Sequence, residues 1–130
     1  MPQKPLILVV DDDGPILILM KNLLREFGFD VLTAANGMQA IETARRGSPS
    51  LVLVDRNMPG MSGDEVVRTL RSEQTDDGRT PILILSGEPL SRRELEDIGA
   101  DGAVLKPFDV QALVGQIREH VGAEAKGVEA

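Results

Sequence analysis

Short apolar runs alternate with longer amphipathic segments along this chain. Runs of three to five consecutive apolar residues are typical of strands that are buried on both faces of a parallel sheet. One further segment, of mixed apolar and polar character, also has the composition of a strand. The five predicted strands cover residues 6–10, 30–34, 51–54, 82–85 and 103–105.

Each predicted strand is followed by a segment whose apolar residues recur at helical spacing. Pro15 stands where the first turn of a helix tolerates proline, and Gly28 stands where a helix ends. Ser91 and Glu94 have the spacing of a capping box, and Asp109 can cap the last helix. The predicted helices cover residues 16–27, 37–46, 63–71, 91–99 and 109–121, and a polar loop at 72–80 contains the turn signal Asp77-Gly78.

Strict alternation of strands and helices predicts an α/β fold, with a doubly wound five-stranded parallel sheet and helices on both faces. A length of 130 residues suits one compact domain and leaves no room for a second. We place this domain at residues 1–121. The segment 122–130 is small and polar, and we expect it to be a flexible tail.

The composition narrows the classes of function. The chain carries 14 basic and 21 acidic residues, and its net charge of −7 argues against direct binding to nucleic acid or to anionic membranes. The absence of cysteine excludes disulfides and zinc sites built on sulfur. No segment has the length of a secretory signal or a membrane span, so we expect a cytoplasmic protein.

Polar side chains follow four of the five predicted strands. Asp11 and Asp12 follow the first strand, Asp55 the third, Ser86 the fourth and Lys106 the fifth. In open parallel sheets the carboxyl ends of the strands form the binding crevice. The sequence therefore predicts a polar site at this edge of the sheet.

Three carboxylates that converge at one edge repel one another, so such a cluster needs a cation or shifted protonation. Oxygen ligands without histidine or cysteine favour a hard ion, most naturally Mg²⁺. A carboxylate can also act as a nucleophile toward phosphorus, and a metal, a lysine and a hydroxyl supply the other needs of phosphoryl transfer.

Each of these residues has an ordinary structural interpretation when it is taken alone. An Asp-Asp pair after a strand is usually part of a turn, and a single lysine or serine is usually a solvated or turn residue. Asp13 is best interpreted as a helix cap, and His120 has no assigned role. The combination favours the functional interpretation, because four coincidences at one edge are improbable.

The motifs in this order resemble the receiver domain of bacterial response regulators, from about Leu6 to Val121. The resemblance is carried by the segment 9–12, Val-Val-Asp-Asp, by Asp55-x-x-Met-Pro-x-x-x-Gly at 55–63, by Ser86-Gly87 and by Lys106-Pro107-Phe108. It implies a flavodoxin-like fold with strand order 2-1-3-4-5.

The resemblance also implies the role of each site residue. Asp55 would be the phosphoacceptor. Asp12 would bind Mg²⁺ directly, Asp11 mainly through water, and the backbone carbonyl of Asn57 would be a further ligand alongside Asp55. Lys106 would pair with the phosphoryl oxygens.

The remaining positions that the resemblance singles out concern switching. Ser86 would move toward the phosphoryl group and donate a hydrogen bond, and Glu88 would tune its hydrolysis together with Asn57. A cis peptide bond is expected before Pro107. Two residues depart from the family pattern: Ala103 replaces the usual aromatic residue, and Gly87 replaces the commoner alanine. We therefore expect output through the order of the loop after Ser86. The segment between Ser86 and Lys106 is also shorter than is typical of receivers, so we expect a trimmed fourth helix or entry loop.

The predicted function is a phosphoacceptor response regulator in a two-component or phosphorelay pathway, a signalling switch rather than an enzyme in the ordinary sense. The implied donor is a sensor histidine kinase or a histidine phosphotransfer protein. Output would pass by contact with an unidentified protein, and a homodimer could use the face of the fourth and fifth units. One alternative is a pseudo-receiver that binds partners without phosphorylation. The other is an aspartate-nucleophile phosphohydrolase, which Asn57 disfavours because those enzymes place an acid there.

Overall fold

The structure of the protein, a computed structural model, describes residues 4–74 and 79–129. The predicted turn at Asp77-Gly78 lies outside the described residues. Five strands and five helices alternate along the described part of the chain. They are β1 (Leu6–Val10), α1 (Gly14–Glu26), β2 (Asp30–Ala34), α2 (Gly37–Gly47), β3 (Leu51–Asp55), α3 (Gly63–Glu73), β4 (Ile82–Ser86), α4 (Arg92–Ile98), β5 (Gly102–Leu105) and α5 (Val110–Glu129).

The five strands form one parallel sheet in the order β2-β1-β3-β4-β5. The predicted α/β fold and strand order are therefore confirmed. In the register of the sheet, Val10 lies beside Val54, Asp55 beside Leu85, and Ser86 beside Leu105. The carboxyl ends of β1, β3, β4 and β5 consequently meet at one edge, where the predicted site residues follow.

Two apolar layers cover the sheet. Side chains of β1, β3 and β4 that point to one face pack with α1 and α5, whereas those that point to the other face pack with α2, α3 and α4. Strands β3 and β4 are buried along their whole length. This burial on both faces explains why their sequences are continuous apolar runs rather than alternating ones.

The helix termini follow the predicted signals closely. Asp13 caps α1, and its carboxylate accepts a hydrogen bond from the backbone N–H of Ile16. Ser91 and Glu94 form a complete capping box at the start of α4. With seven residues α4 is the shortest of the helices described, as expected from the short segment between Ser86 and Lys106.

The last helix differs from its predicted length. The amphipathic pattern predicts that the last helix ends at residue 121, whereas α5 continues to Glu129. Alanine and glutamate in this segment favour helix over coil, which accounts for the extension. The division at residue 121 and the flexibility of 122–130 stay predictions. Within the residues described, no helix combines the length and apolar character that a membrane span requires.

Candidate metal centre

Three carboxylates converge at the carboxyl edge of the sheet. One oxygen from each of Asp11, Asp12 and Asp55 lies within 4.8 Å of the others. Asp11 and Asp55 are almost fully buried, with 4% and 5% of their surface exposed, while Asp12 is exposed. Three carboxylate oxygens that reach one point from a half-open edge fit a hard divalent cation such as Mg²⁺, which keeps several of its waters.

Strand β1 and the start of α1 hold Asp11 in place. Its backbone N–H donates to the carbonyl of Ala34 on β2, and its Oδ1 accepts from the backbone N–H of Asp13 at 2.9 Å. Burial raises the pKa of Asp11, and the charges of Asp55 and Asp12 raise it further, against the lowering effects of the Asp13 N–H and of Lys106. The cluster therefore holds more negative charge than its surroundings stabilise, and a bound cation would relieve this.

Lys106 reaches Asp55 from the end of β5. The Nζ–Oδ1 distance is 2.8 Å, and the backbone N–H of Lys106 donates to the carbonyl of Ser86 at 2.8 Å. The Lys106–Pro107 peptide bond is cis, as expected. The same oxygen of Asp55 also accepts a hydrogen bond from the backbone N–H of Asn57 at 3.3 Å. A lysine and a backbone donor therefore hold the Asp55 carboxylate, and its second oxygen has no protein partner among the described residues.

The loop from β3 to α3 returns tightly onto Asp55. A Cβ atom added at Gly63 would lie 2.3 Å from the backbone oxygen of Asp55, so only glycine fits this approach. The N–H of Gly63 donates to the carbonyl of Arg56 at 2.9 Å. The Arg56 guanidinium contacts the Asp64 carboxylate through two nitrogens, at 3.2 and 3.4 Å.

Sequence reasoning missed the pair of Arg56 and Asp64. Its signal was weak: two opposite charges, eight residues apart, at the two ends of a loop that contains Pro59 and Gly60. Met58 and Met61 of the same loop pack against the core layer of α2 and α3.

Ser86 lies at the end of β4, buried, and its hydroxyl is engaged locally. The hydroxyl donates to the backbone carbonyl of Glu88 at 2.8 Å and accepts from the backbone N–H of Glu88 at 3.1 Å. The structure therefore places Ser86 at the predicted edge but pairs its hydroxyl with the loop. Gly87 between them is exposed, and a Cβ there would meet no atom within 4 Å.

Ala103 lies half-buried on β5, beside the core layer of α4. Its carbonyl accepts a hydrogen bond from the side-chain amide of Gln116 on α5, at 3.2 Å. The residue is too small to reach the loop after Ser86 as an aromatic ring would. An aromatic readout of the hydroxyl at position 86 is therefore absent at this position of β5.

A largely apolar cavity of about 570 Å³ continues the site toward α1. Asp11 and Lys106 are among the residues that line it, together with apolar side chains such as Leu19 and Phe108. Two neighbouring side chains of α1 project into solvent: Ile18 is 64% exposed and Leu19 52%. The polar cluster therefore adjoins an exposed apolar surface.

The sequence and the structure both match known proteins. The family model of the response regulator receiver domain matches residues 7–118. Among curated proteins, the probable transcriptional regulator ycf27 of Pyropia yezoensis is 40% identical over 118 residues, which cover 89% of this chain and 47% of the relative. The chain thus spans about half the length of the curated relatives it matches.

Two solved structures are similar over nearly their full lengths. The chemotaxis response regulator CheY4 of Vibrio cholerae is 32% identical, with a TM-score of 0.82 over 91% of this chain and 99% of that one. The receiver domain of sensor histidine kinase PA1611 from Pseudomonas aeruginosa is 27% identical, with a TM-score of 0.80 over 92% and 98%. That structure has a magnesium ion coordinated in the active site cleft. The chain therefore belongs to the response regulator receiver domain family, the phosphoacceptor switch domains of two-component signalling.

Proposed function

We propose that Asp55 is the phosphoacceptor and that it takes its phosphoryl group from a phosphohistidine. The observation that carries this proposal is the meeting of three carboxylates, from the ends of β1 and β3, with Lys106 bonded to one of them. The metal ligands would be Asp11, Asp12, Asp55 and the backbone carbonyl of Asn57. When bound, Mg²⁺ neutralises the charge that develops on the phosphoryl oxygens.

The transfer forms one bond and breaks one. A carboxylate oxygen of Asp55 attacks phosphorus, the O–P bond forms, and the P–N bond to the donor histidine breaks. The leaving nitrogen keeps the electron pair of that bond and takes up a proton. Lys106, freed from its bond to Asp55, would turn its ammonium group to a phosphoryl oxygen.

Ser86 would donate a hydrogen bond from its hydroxyl to the phosphoryl group on Asp55. Its two hydrogen bonds to Glu88 must first break, so phosphorylation would release the backbone of the loop after β4. Since Ala103 offers no aromatic ring, we propose that the order of this loop carries the signal. Structures with and without a phosphoryl analogue such as beryllofluoride test this, and an unchanged loop would contradict it.

The chain would catalyse its own phosphorylation and slow dephosphorylation, with no other substrate. Its donor would be a sensor histidine kinase or a histidine phosphotransfer protein. The exposed apolar surface of α1 beside the site supports an approach of that donor from this side. Output would occur by protein contact. The negative net charge disfavours contact with nucleic acid, although a relative that is twice as long is named as a probable transcriptional regulator.

The phosphohydrolase alternative is disfavoured by Asn57, whose amide cannot act as a general acid or base two residues after the nucleophile. The pseudo-receiver alternative is disfavoured by the complete acidic cluster with its lysine. A pseudo-receiver would bind neither Mg²⁺ nor a phosphoryl group.

Intact mass after incubation with Mg²⁺ and acetyl phosphate tests the proposal. We expect one added phosphoryl group on the wild-type chain, and none on Asp55→Asn or in the presence of EDTA. Asp13→Asn is the matched control: it makes the same chemical change beside the site, and asparagine can still cap α1. This variant should be phosphorylated like wild type.

Two negative outcomes separate the alternatives. A chain without adduct that releases inorganic phosphate would hydrolyse its adduct faster than the assay detects it, and steady turnover of phosphate esters as well would favour the phosphohydrolase. A chain with neither adduct nor released phosphate would favour the pseudo-receiver.

A further inference from the structure

We propose that Arg56 and Asp64 form a positioning pair that holds the loop from β3 to α3 in the shape that binds the metal. The inference rests on the proposed function, in which the backbone carbonyl of Asn57 is a ligand. Neither side chain needs to touch the metal or the phosphoryl group. Their role would be to hold Asn57 through the backbone.

The pair closes the two ends of the loop. Arg56 directly follows the phosphoacceptor, and Asp64 lies in the first turn of α3. The guanidinium uses two nitrogens for one carboxylate, a planar arrangement that fixes direction as well as distance. The side chains are 29% and 20% exposed, so water screens the contact only partly.

Backbone hydrogen bonds connect the Arg56–Asp64 pair to Asn57. The N–H of Arg56 donates to the carbonyl of Leu85 on β4, and the carbonyl of Arg56 accepts from Gly63. The next residue, Asn57, donates its N–H to the Asp55 carboxylate. Any rotation of the Arg56 backbone would therefore displace the carbonyl of Asn57 and the carboxylate of Asp55 together.

The apolar side of the loop is anchored independently. Met58 is buried, and Met61 packs so closely against α2 that a Cβ at Gly37 would lie 2.6 Å from its sulfur. Loss of the charged pair should therefore leave the fold intact and alter the loop locally. An effect of the pair on Mg²⁺ binding can therefore be measured in variants that still fold.

A positioning role of Arg56 and a purely electrostatic role predict opposite changes in Mg²⁺ affinity for Arg56→Ala. If Arg56 acted only through its positive charge, its removal would strengthen Mg²⁺ binding, and Arg56→Lys would change nothing. If the two-pronged contact holds the loop, Arg56→Lys, Arg56→Ala and Asp64→Ala should all weaken Mg²⁺ binding. We expect Mg²⁺ affinity to fall about tenfold, because the carbonyl of Asn57 is one ligand among several. This is the lower end of the range for residues that hold a metal ligand in place.

The test titrates each unphosphorylated variant of the 130-residue chain with MgCl₂. Backbone amide chemical shifts in NMR spectra report Mg²⁺ binding at each step. The same spectra and a thermal melt in EDTA report whether each variant is folded. The double variant Arg56→Ala with Asp64→Ala should bind no more weakly than either single variant, since one contact is lost in all three. Arg45→Lys is the matched control, because Arg45 makes the same kind of contact with Glu73 at the far ends of α2 and α3.

Each outcome decides the matter. Unchanged or tighter binding by both Arg56 variants, with wild-type binding intact, would overturn the positioning role and leave the proposed function standing. Equal weakening by Arg45→Lys would overturn it as well, since the effect would then be general. A wild-type chain that does not bind Mg²⁺ would overturn the proposed function itself.

Discussion

Asp11 and Asp101 show how neighbouring groups determine the pKa of an aspartate that is removed from solvent. Burial is the main cause that raises the pKa of Asp11, and the charges of Asp55 and Asp12 act in the same direction, against the Asp13 N–H and Lys106. Burial acts in the same direction on Asp101, but a hydrogen bond from Ile82 and the charges of Arg79 and Arg71 hold its pKa below the ordinary value. Asp11 therefore belongs to an acidic cluster that a cation would stabilise, and Asp101 to a structural network with its hydrogen bonds and charges satisfied.

The Asp101 network ties three elements together at the amino edge of the sheet. Its carboxylate accepts from the backbone N–H of Ile82 at 2.8 Å, from Arg79 at 2.8 Å and from Arg71. Arg71 on α3 also donates to the carbonyls of Gly99 and Thr80, at 2.7 and 2.6 Å. The end of α4 is thus fixed at the edge of the sheet opposite the site.

Asp101→Asn should destabilise the folded chain at pH 7 by about 2 kcal/mol, because Arg71 loses its charged partner. A folded-state pKa that lies below the unfolded value contributes stability that is present above the unfolded pKa, here the ordinary 3.8. That stability is lost as the pH falls through the folded pKa, so the difference from wild type should shrink below about pH 4. Urea unfolding from pH 7 to pH 3 measures it.

Asp97→Asn provides the control for this change, since Asp97 is exposed on α4. Its effect on the free energy of unfolding should stay within about 0.5 kcal/mol at all pH values. A difference for Asp101→Asn that persists unchanged at pH 3 would contradict the linkage.

At the scale of elements, loops and caps rather than helices and strands carry the site. Asp13 caps α1 and at the same time donates its backbone N–H to Asp11. Gly63 begins α3 against the backbone of Asp55. The backbone at the start of each helix therefore contacts a residue of the acidic cluster, and a change that displaces this backbone should alter the site.

Gly63→Ala tests this coupling. The added Cβ would meet the backbone oxygen of Asp55 at 2.3 Å and the Cα of Arg56 at 2.7 Å, and neither can yield without a shift of β3. We expect a loss of about 3 kcal/mol in the free energy of unfolding, as for overpacked cores, together with loss of Mg²⁺ binding. Gly115→Ala is the matched control on α5, because a Cβ there meets nothing within 4 Å.

The control should change in the opposite direction. Alanine in an exposed helix position is favoured over glycine, so Gly115→Ala should stabilise the chain by about 0.5 to 1 kcal/mol. Chemical denaturation of the two variants measures both effects. A Gly63→Ala variant as stable as wild type would show that the loop can move away.

At the level of the whole molecule, the two edges of the sheet differ in how well their buried charges are compensated. Two packed layers hold the strands, and the amino edge is fastened by the Asp101 network. The carboxyl edge carries buried like charges that lack full compensation. A homodimer through the face of the fourth and fifth units stays a prediction; Leu105, half exposed on β5, would lie on that face.

Mg²⁺ should stabilise the whole chain because it would bind the folded cluster and not the dispersed carboxylates of the unfolded state. At ten times its dissociation constant it should add about 1.4 kcal/mol. The melting temperature should then rise by about 5 °C. Thermal melts by circular dichroism in MgCl₂, in EDTA and in NaCl of equal ionic strength check this.

Asp55→Asn should remove most of this Mg²⁺-dependent rise. An equal rise in NaCl would show general screening of the negative net charge instead of a site. An equal rise in Asp55→Asn would place the cation elsewhere.

The order of the strands and helices, and the position of the polar site at the carboxyl edge of the sheet, could be predicted from the sequence alone. Both depend on local patterns: apolar runs for buried strands, helical spacing and caps for helices, and polar residues at the ends of four of the five strands. The strand order came from the resemblance to receivers, because periodicity within a strand does not say which strand lies beside it.

Contacts between side chains that are distant in sequence became visible in the tertiary structure. The bond from Lys106 to Asp55 spans 51 positions, and the contact of Arg71 with Asp101 spans 30. The sequence predicted that Lys106 would lie near Asp55, because both follow strands of one sheet. The pair of Arg56 and Asp64 and the engagement of Ser86 with Glu88 escaped it, because such pairs depend on the exact path of a loop once its ends are packed.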